Sequence, residues 1–201
     1  MTSMSLRILL MAGAALAVAG CNKATAPDGN TATTGTNSSS ATTASASSDP
    51  IASAESAAPA ALAHDAAIVT VDATGAMKQL RASKNGWTCM PDNPATPGHD
   101  PMCMDANAMK WAQAWMTHKN PPANNVGLMY MLAGGSDASN MDPWGTQPAK
   151  GQKWVETGPH VMVVGSDSLN ALYPSGPNPD TSKPYVMFGG TPYAHVMMPI
   201  K

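Results

Sequence analysis

The spacing of apolar and polar positions divides the chain into three stretches. Residues 8–19 form one continuous apolar run, residues 22–66 show no apolar period, and residues 67–201 hold short periodic segments separated by turn-rich connections. In the last stretch Ile68 to Val71 and Met77 to Leu80 are β-prone runs joined through Asp72-Ala73-Thr74-Gly75, which predicts a hairpin. Val126 to Leu132, His160 to Val164, Tyr185 to Phe188 and His195 to Ile200 are further strand candidates, and Ser168 to Tyr173 is a short helix candidate.

One helix is specified at both ends. Asp105 suits an N-cap, because a carboxylate there accepts backbone N–H bonds at the positive end of the helix dipole. At about 100° per residue, Ala108, Met109, Trp111, Ala112, Trp115 and Met116 share one arc, with Lys110, Gln113 and Thr117 opposite. His118 and Lys119 complement the negative end of the dipole, and Asn120-Pro121-Pro122 stops the helix because proline lacks an N–H. Two hairpin strands, a helix and then loop-separated strands predict an α+β domain with a small, mainly antiparallel sheet and one amphipathic helix, preceded by a disordered tether.

The apolar run at residues 8–19 follows Arg7 and is too short to span a bilayer, but it has the length of an export-signal core. Val18-Ala19-Gly20-Cys21 closes it and resembles the lipobox of bacterial lipoproteins, in which the cysteine becomes the acylated, palmitate-bearing first residue. The expected division is therefore a signal peptide at 1–20, an Ala/Ser/Thr-rich tether at 21–66 and one globular domain at 67–201. Cys21 would anchor the protein in the membrane of the cell envelope. Asn22, where aspartate would mark inner-membrane retention in enteric bacteria, favours the outer membrane. The tether has no aromatic residue and too little apolar surface to offset its ordering entropy. As a flexible coil its ends would lie about 35 to 40 Å apart.

With Cys21 acylated, Cys89 and Cys103 remain. An exported chain matures in an oxidising compartment, where a lone pair of cysteines bridges, so a Cys89–Cys103 disulfide is expected. No CxxC motif supports a catalytic thiol or a thiolate metal site. The thirteen residues between the two cysteines are rich in proline and predict an irregular loop stapled by the bridge. Charge adds an exclusion: 11 basic and 13 acidic residues, with no basic stripe, argue against nucleic acid as a partner. GxGxxG, Walker, HExxH and GxSxG motifs are absent, which favours a non-catalytic role.

The chain has 16 methionines and a single phenylalanine. Two phrases echo each other, Gly158-Pro159-His160-Val161-Met162 and Tyr193-Ala194-His195-Val196-Met197-Met198. Strand side chains alternate faces, so His160 shares a face with Met162, and His195 with Met197. If these strands are neighbours, two imidazoles and two thioethers converge, a donor set that suits copper, particularly Cu(I); Met129 and Met131 could line the same face. The competing reading is packing, since methionine fills irregular cores and this chain is poor in other large apolar residues.

Ala133 to Lys153 is the longest featureless connection and carries Ser136, Asp137, Asn140 and Asp142, a candidate binding loop. Its Asp and Asn spacing matches no EF-hand, so Asx-turn chemistry competes with calcium binding. Ser136 or Asp137 meeting His160 or His195 would make a hydrolytic site. Trp87 and Trp144 sit beside turns, where they could stack on a glycan or an envelope protein, or pack on the domain's own edge. The phrases NGWTC, DPMC, GGSDASN, GPHVM and GTPYAHVMMP, spanning most of Asn85 to Pro199, resemble those of an uncharacterised family of exported bacterial proteins. That resemblance implies an intact domain and carries no activity with it. The leading expectation is a membrane-anchored envelope lipoprotein that acts as a binding or interaction module. The alternatives are a periplasmic copper-binding protein using these His and Met ligands, and a hydrolase with its site near the Gly134 to Asp142 loop.

Overall fold

The computed structural model describes residues 49–72 and 74–200. The signal-like run, Cys21 and most of the expected tether lie outside them. In chain order the elements are α1 (Pro50–Glu55), α2 (Ala60–Ala63), β1 (Ala67–Val71), β2 (Met77–Arg81), β3 (Thr88–Met90), β4 (Met102–Met104), α3 (Ala106–Met116) and β5 (Gly127–Met131). They continue with β6 (Gly135–Asp137), β7 (Val155–Thr157), β8 (His160–Val164), α4 (Asp167–Asn170), β9 (Tyr185–Met187) and β10 (His195–Pro199).

Eight strands form one sheet in the order β2-β1-β3-β4-β5-β8-β10-β9, and β6 pairs with β7 in a separate ribbon. Pairing is antiparallel throughout except where β1 runs parallel to β3. The content is thus mixed α/β, with few helices and a mostly antiparallel sheet, although the sheet is larger than the small one expected. The β1–β2 hairpin forms as its turn residues predict: Asp72 accepts bonds from the Thr74 and Ala76 N–H groups through its carboxylate. None of the helices among the described residues is long and apolar enough to cross a membrane.

Helical, packed structure is already present from Asp49, within the segment expected to be tether and before residue 67. Asp49 caps α1 through the Ile51 N–H, with Pro50 at the first helical position, where its missing N–H costs nothing. Ala54, Ala57, Ala58, Ala63 and Ala66 are buried against Ile68, Cys89 and Cys103 on one face of the sheet. Ala57 accepts a bond from Leu132 N–H, and Arg81 reaches both Glu55 and the Ala63 carbonyl. Short alanine helices carry little periodic signal, yet alanine lies flat enough to seat a helix closely on a sheet, so composition hid a packed segment as tether.

The other face is covered by α3. Asp105 accepts from Asn107 and Ala108 N–H, as its N-cap position predicts, and Ala108, Trp111, Ala112 and Ala114 are buried. The helix ends at Met116, earlier than expected, because His118 takes a left-handed conformation (φ 54°) that turns the chain out of the helix. Gly127 lies directly under it: a Cβ there would stand 2.2 Å from Ala108 N. The proline-rich segment expected to be an irregular loop is bordered by paired strands, β3 and β4, with Cys89 opposite Cys103. Their Cα atoms are 3.9 Å apart and the sulfurs lie at disulfide distance, both fully buried.

Candidate binding cavity

Sheet register sorts the soft side chains into rows on the face under α3. Met104 lies opposite Met129, Met129 opposite Met162, and Met162 opposite Met197, four thioethers on four adjacent strands. Tyr185 ends this row on β9. In the next row His160 lies opposite Met131 on one side and Pro199 on the other. On the far side of the methionine row, His195 lies between Val164 and Met187. The strands that carry the two His-Val-Met phrases are therefore neighbours, the condition on which the convergence of their side chains depended. Because they run antiparallel about the Met162–Met197 pair, the two histidines stand at opposite ends, and the four residues do not form a single patch.

Both imidazoles are buried and held in one tautomer. His160 Nδ1 lies 2.7 Å from the Gly158 carbonyl, and His195 Nδ1 lies 2.9 Å from that of Tyr193. A carbonyl only accepts, so Nδ1 carries the proton in each ring and Nε2 is a bare lone pair. Burial disfavours the charged form, which lowers the His160 pKa and pushes that of His195 down to about 4; the Tyr193 carbonyl opposes the second shift and His160 adds slightly to it. His160 Nε2 is buried with no hydrogen-bond partner among the described residues. The His195 ring meets the edges of Trp111 and Phe188 at 5.1 and 5.4 Å between centroids.

The eleven residues of α3 are too short to cover an eight-stranded sheet, and the uncovered part of this face opens into a cavity of about 570 Å³. Its walls are largely thioether and aromatic: Met90, Met102, Met129, Met131 and Met162 from the strands, and Trp111 and Trp115 from the helix. Its polar side is made by Asp92 and Asp100 from the segment between β3 and β4, and by Ser136 and Asp137 from β6. Asp100 accepts from Ser136 N–H at 2.6 Å and from the Thr96 hydroxyl. Burial nonetheless raises its pKa, with the Asp92 charge adding to the effect. Asp137 is pushed up to about 7 by burial and then by the neighbouring Asp100, and among the described residues no hydrogen bond reaches its carboxylate. Trp111 Nε1–H is buried and has no hydrogen-bond partner among the described residues.

The candidate loop of Ser136, Asp137, Asn140 and Asp142 separates into two roles. Ser136 and Asp137 form strand β6 and line the cavity. Asn140 instead pegs the loop in place, donating from Nδ2 to the carbonyls of Gly176 and Val186. Asp142 accepts from Trp144 N–H, the Asx-turn chemistry weighed against calcium above. Ser136 Oγ accepts from Gly98 N–H and lies 3.4 Å from Asp100; no imidazole among the described residues bonds to it. Trp87 packs on Tyr130, and Trp144 stacks on His118 at 4.6 Å while 44% of its surface stays exposed.

Sequence reasoning missed Asp100, Trp111 and Met187, which all line the cavity, as parts of one site. The alternation in Thr88-Cys89-Met90 and Met102-Cys103-Met104, cysteines to one face and methionines to the other, was a usable signal for the strands. Nothing local marked Asp100. Comparison with known proteins returns no matching family model, no matching curated protein and no matching solved structure. The functional reading therefore rests on the geometry of the cavity.

Proposed function

We propose that the mature chain is a lipid-anchored binding module of the bacterial envelope, exported by its signal and held through Cys21. Its ligand is a small molecule with an apolar body and a basic head. The observation that carries this reading is the cavity beside α3, with the Asp137 carboxylate on its polar side left without a hydrogen-bond partner among the described residues. Its size lies within the range of small-molecule sites, which are mostly apolar with a few placed polar groups. Methionine suits such walls, because an unbranched, polarisable side chain adapts to the ligand it meets. An ammonium head would supply the counter-charge that the described residues do not give Asp137 and so favour its ionised form, and Trp111 Nε1–H offers a donor to a ligand acceptor.

Two walls of the cavity are tryptophan, so intrinsic fluorescence reports on occupancy directly. Titration with a series of alkyl- and arylalkylamines at pH 8, beside alcohols of the same shape, should give saturable quenching by the amines and weaker binding of the alcohols. Asp137→Asn should abolish that preference. Equal affinity for amines and alcohols in the native protein would refute the assigned head group, and no saturation by either series would refute the cavity as a ligand site. Envelope anchoring is checked separately: Cys21→Ser should move the protein from the membrane fraction to the soluble one. The hydrolase reading draws no support from Ser136, whose hydroxyl is engaged by Gly98 and Asp100.

A further inference from the structure

The cavity has a second polar pair, away from its carboxylates. His195 and Trp111 both line it, at 2% and 5% exposure, with ring centroids 5.1 Å apart. His195 Nδ1 is tied to the Tyr193 carbonyl, which leaves Nε2 as an acceptor, and no hydrogen bond among the described residues reaches it. Burial holds the pKa down to about 4, so the ring is neutral and Nε2 keeps its lone pair at pH 8. Trp111 Nε1–H is a donor without a partner among the described residues. A buried acceptor and a buried donor that both lack partners are costly, and an occupant that serves both removes that cost. The carboxylates stand at the other end of the same face. A Cβ on Gly135 would lie 3.4 Å from His160 Cε1 and 3.6 Å from Asp100 Oδ1, which puts Asp100 beside His160. On β8 His160 is four residues from Val164, the residue opposite His195. At the rise of an antiparallel strand that separation is about 13 Å. Between the two ends run Met129, Met162 and Met197, all of which line the cavity.

We propose that the ligand is an amino alcohol whose ammonium head lies at Asp137 and Asp100, whose methylene body crosses the methionine row, and whose far hydroxyl donates to His195 Nε2 and accepts from Trp111 Nε1–H. The inference rests on the reading of the cavity as an amine site and adds the identity of the other end. A hydroxyl is donor and acceptor at once, so one group satisfies both side chains. A carboxylate would set its lone pairs against Nε2, and among the described residues no Lys or Arg lines the cavity to receive it. A second ammonium has only donors and would leave Trp111 Nε1–H unpaired; a methyl would leave both groups unpaired. A site that hydrogen-bonds a hydroxyl rejects the analogue lacking it, whereas a purely apolar wall favours that analogue. The sign of the preference therefore decides between the two kinds of wall.

The test uses the mature chain with Cys21→Ser and calorimetric titration at pH 8. Each α,ω-amino alcohol from ethanolamine to aminooctanol is compared with the alkylamine in which a methyl replaces the hydroxyl. Saturable binding of the alkylamines reports on the amine site alone, and the difference within each pair reports on the hydroxyl end. Members long enough to cross the methionine row should bind at least roughly fivefold tighter than their methyl-ended partners. Ethanolamine, too short to reach both ends, should show no gain. Trp111→Phe keeps a ring and removes the donor, so it should cut the gain while the preference for amines over plain alcohols persists. His195 packs between Trp111 and Phe188, where replacement endangers the fold, so it is read in the native protein. Its Nε2 nitrogen NMR signal should move when a long amino alcohol binds and stay in place with the matching alkylamine. Amino alcohols no tighter than alkylamines at every length, a full gain already in ethanolamine, or an unmoved Nε2 signal would overturn the proposal and leave the amine site standing. Alkylamines that fail to saturate would instead strike the amine site, and this inference with it.

Discussion

Replacing Asp137 with asparagine probes the polar side of the cavity without changing its shape. Burial and the nearby Asp100 raise the native pKa from 3.8 to about 7. Between those values the unfolded chain has released its proton while the native chain still holds it, so native stability falls as pH rises through this window. At about 1.4 kcal/mol per unit, the shift corresponds to up to about 4 kcal/mol by pH 8, reduced by whatever screening cavity water provides at a side chain that is only half-buried. Asparagine keeps the shape and carries no charge at any pH. The buried histidines act in the opposite sense: with His195 lowered from 6.5 to about 4, stability is lost as pH falls through that interval. Comparing variant with parent at each pH cancels the histidine contribution. Urea unfolding at pH 5, 6, 7 and 8 should therefore show the stability of Asp137→Asn relative to parent growing with pH, by up to about 2 to 3 kcal/mol before screening, with most of the growth below pH 7. A difference that stays constant with pH would mean that the carboxylate is not held protonated, and the proposed pairing with a basic ligand would lose its physical ground.

Truncation separates the tether from the domain. A chain starting at Asp49 should keep the unfolding midpoint of the mature protein, whereas one starting at Ala67 uncovers Ile68 and the disulfide and should lose at least about 2 kcal/mol; equal midpoints for both would show that α1 and α2 contribute nothing. Thiol counting in denaturant on periplasmic Cys21→Ser protein should find no free thiol at Cys89 or Cys103, and Cys89→Ser should cost about 3 kcal/mol for a loop of this size. Gly127→Ala drives a methyl into the backbone of α3 and should cost about 3 kcal/mol or more in thermal or urea unfolding, and a neutral result would mean that the helix does not sit on this strand.

Local chemistry determined those elements whose signals lie in a few neighbouring residues. Asp105 fixed the start of α3, Asp72 and Gly75 fixed the first hairpin, and alternation fixed the strand His160–Val164 and which of its side chains share a face. Cys89 and Cys103 were legible as a pair because cysteine arithmetic needs no geometry. What the chain could not state locally was register. Whether His160 meets His195 depends on strand direction and on a pairing 35 residues away in sequence, and antiparallel pairing about Met162–Met197 sends the two rings apart. The cavity, too, exists only because a short helix lies on a wide sheet, a mismatch between elements and not a property of either. Alanine and short strands escaped notice for the same reason: α1, α2, β3 and β4 have little intrinsic preference and are held by burial against partners far along the chain, which no window of sequence contains.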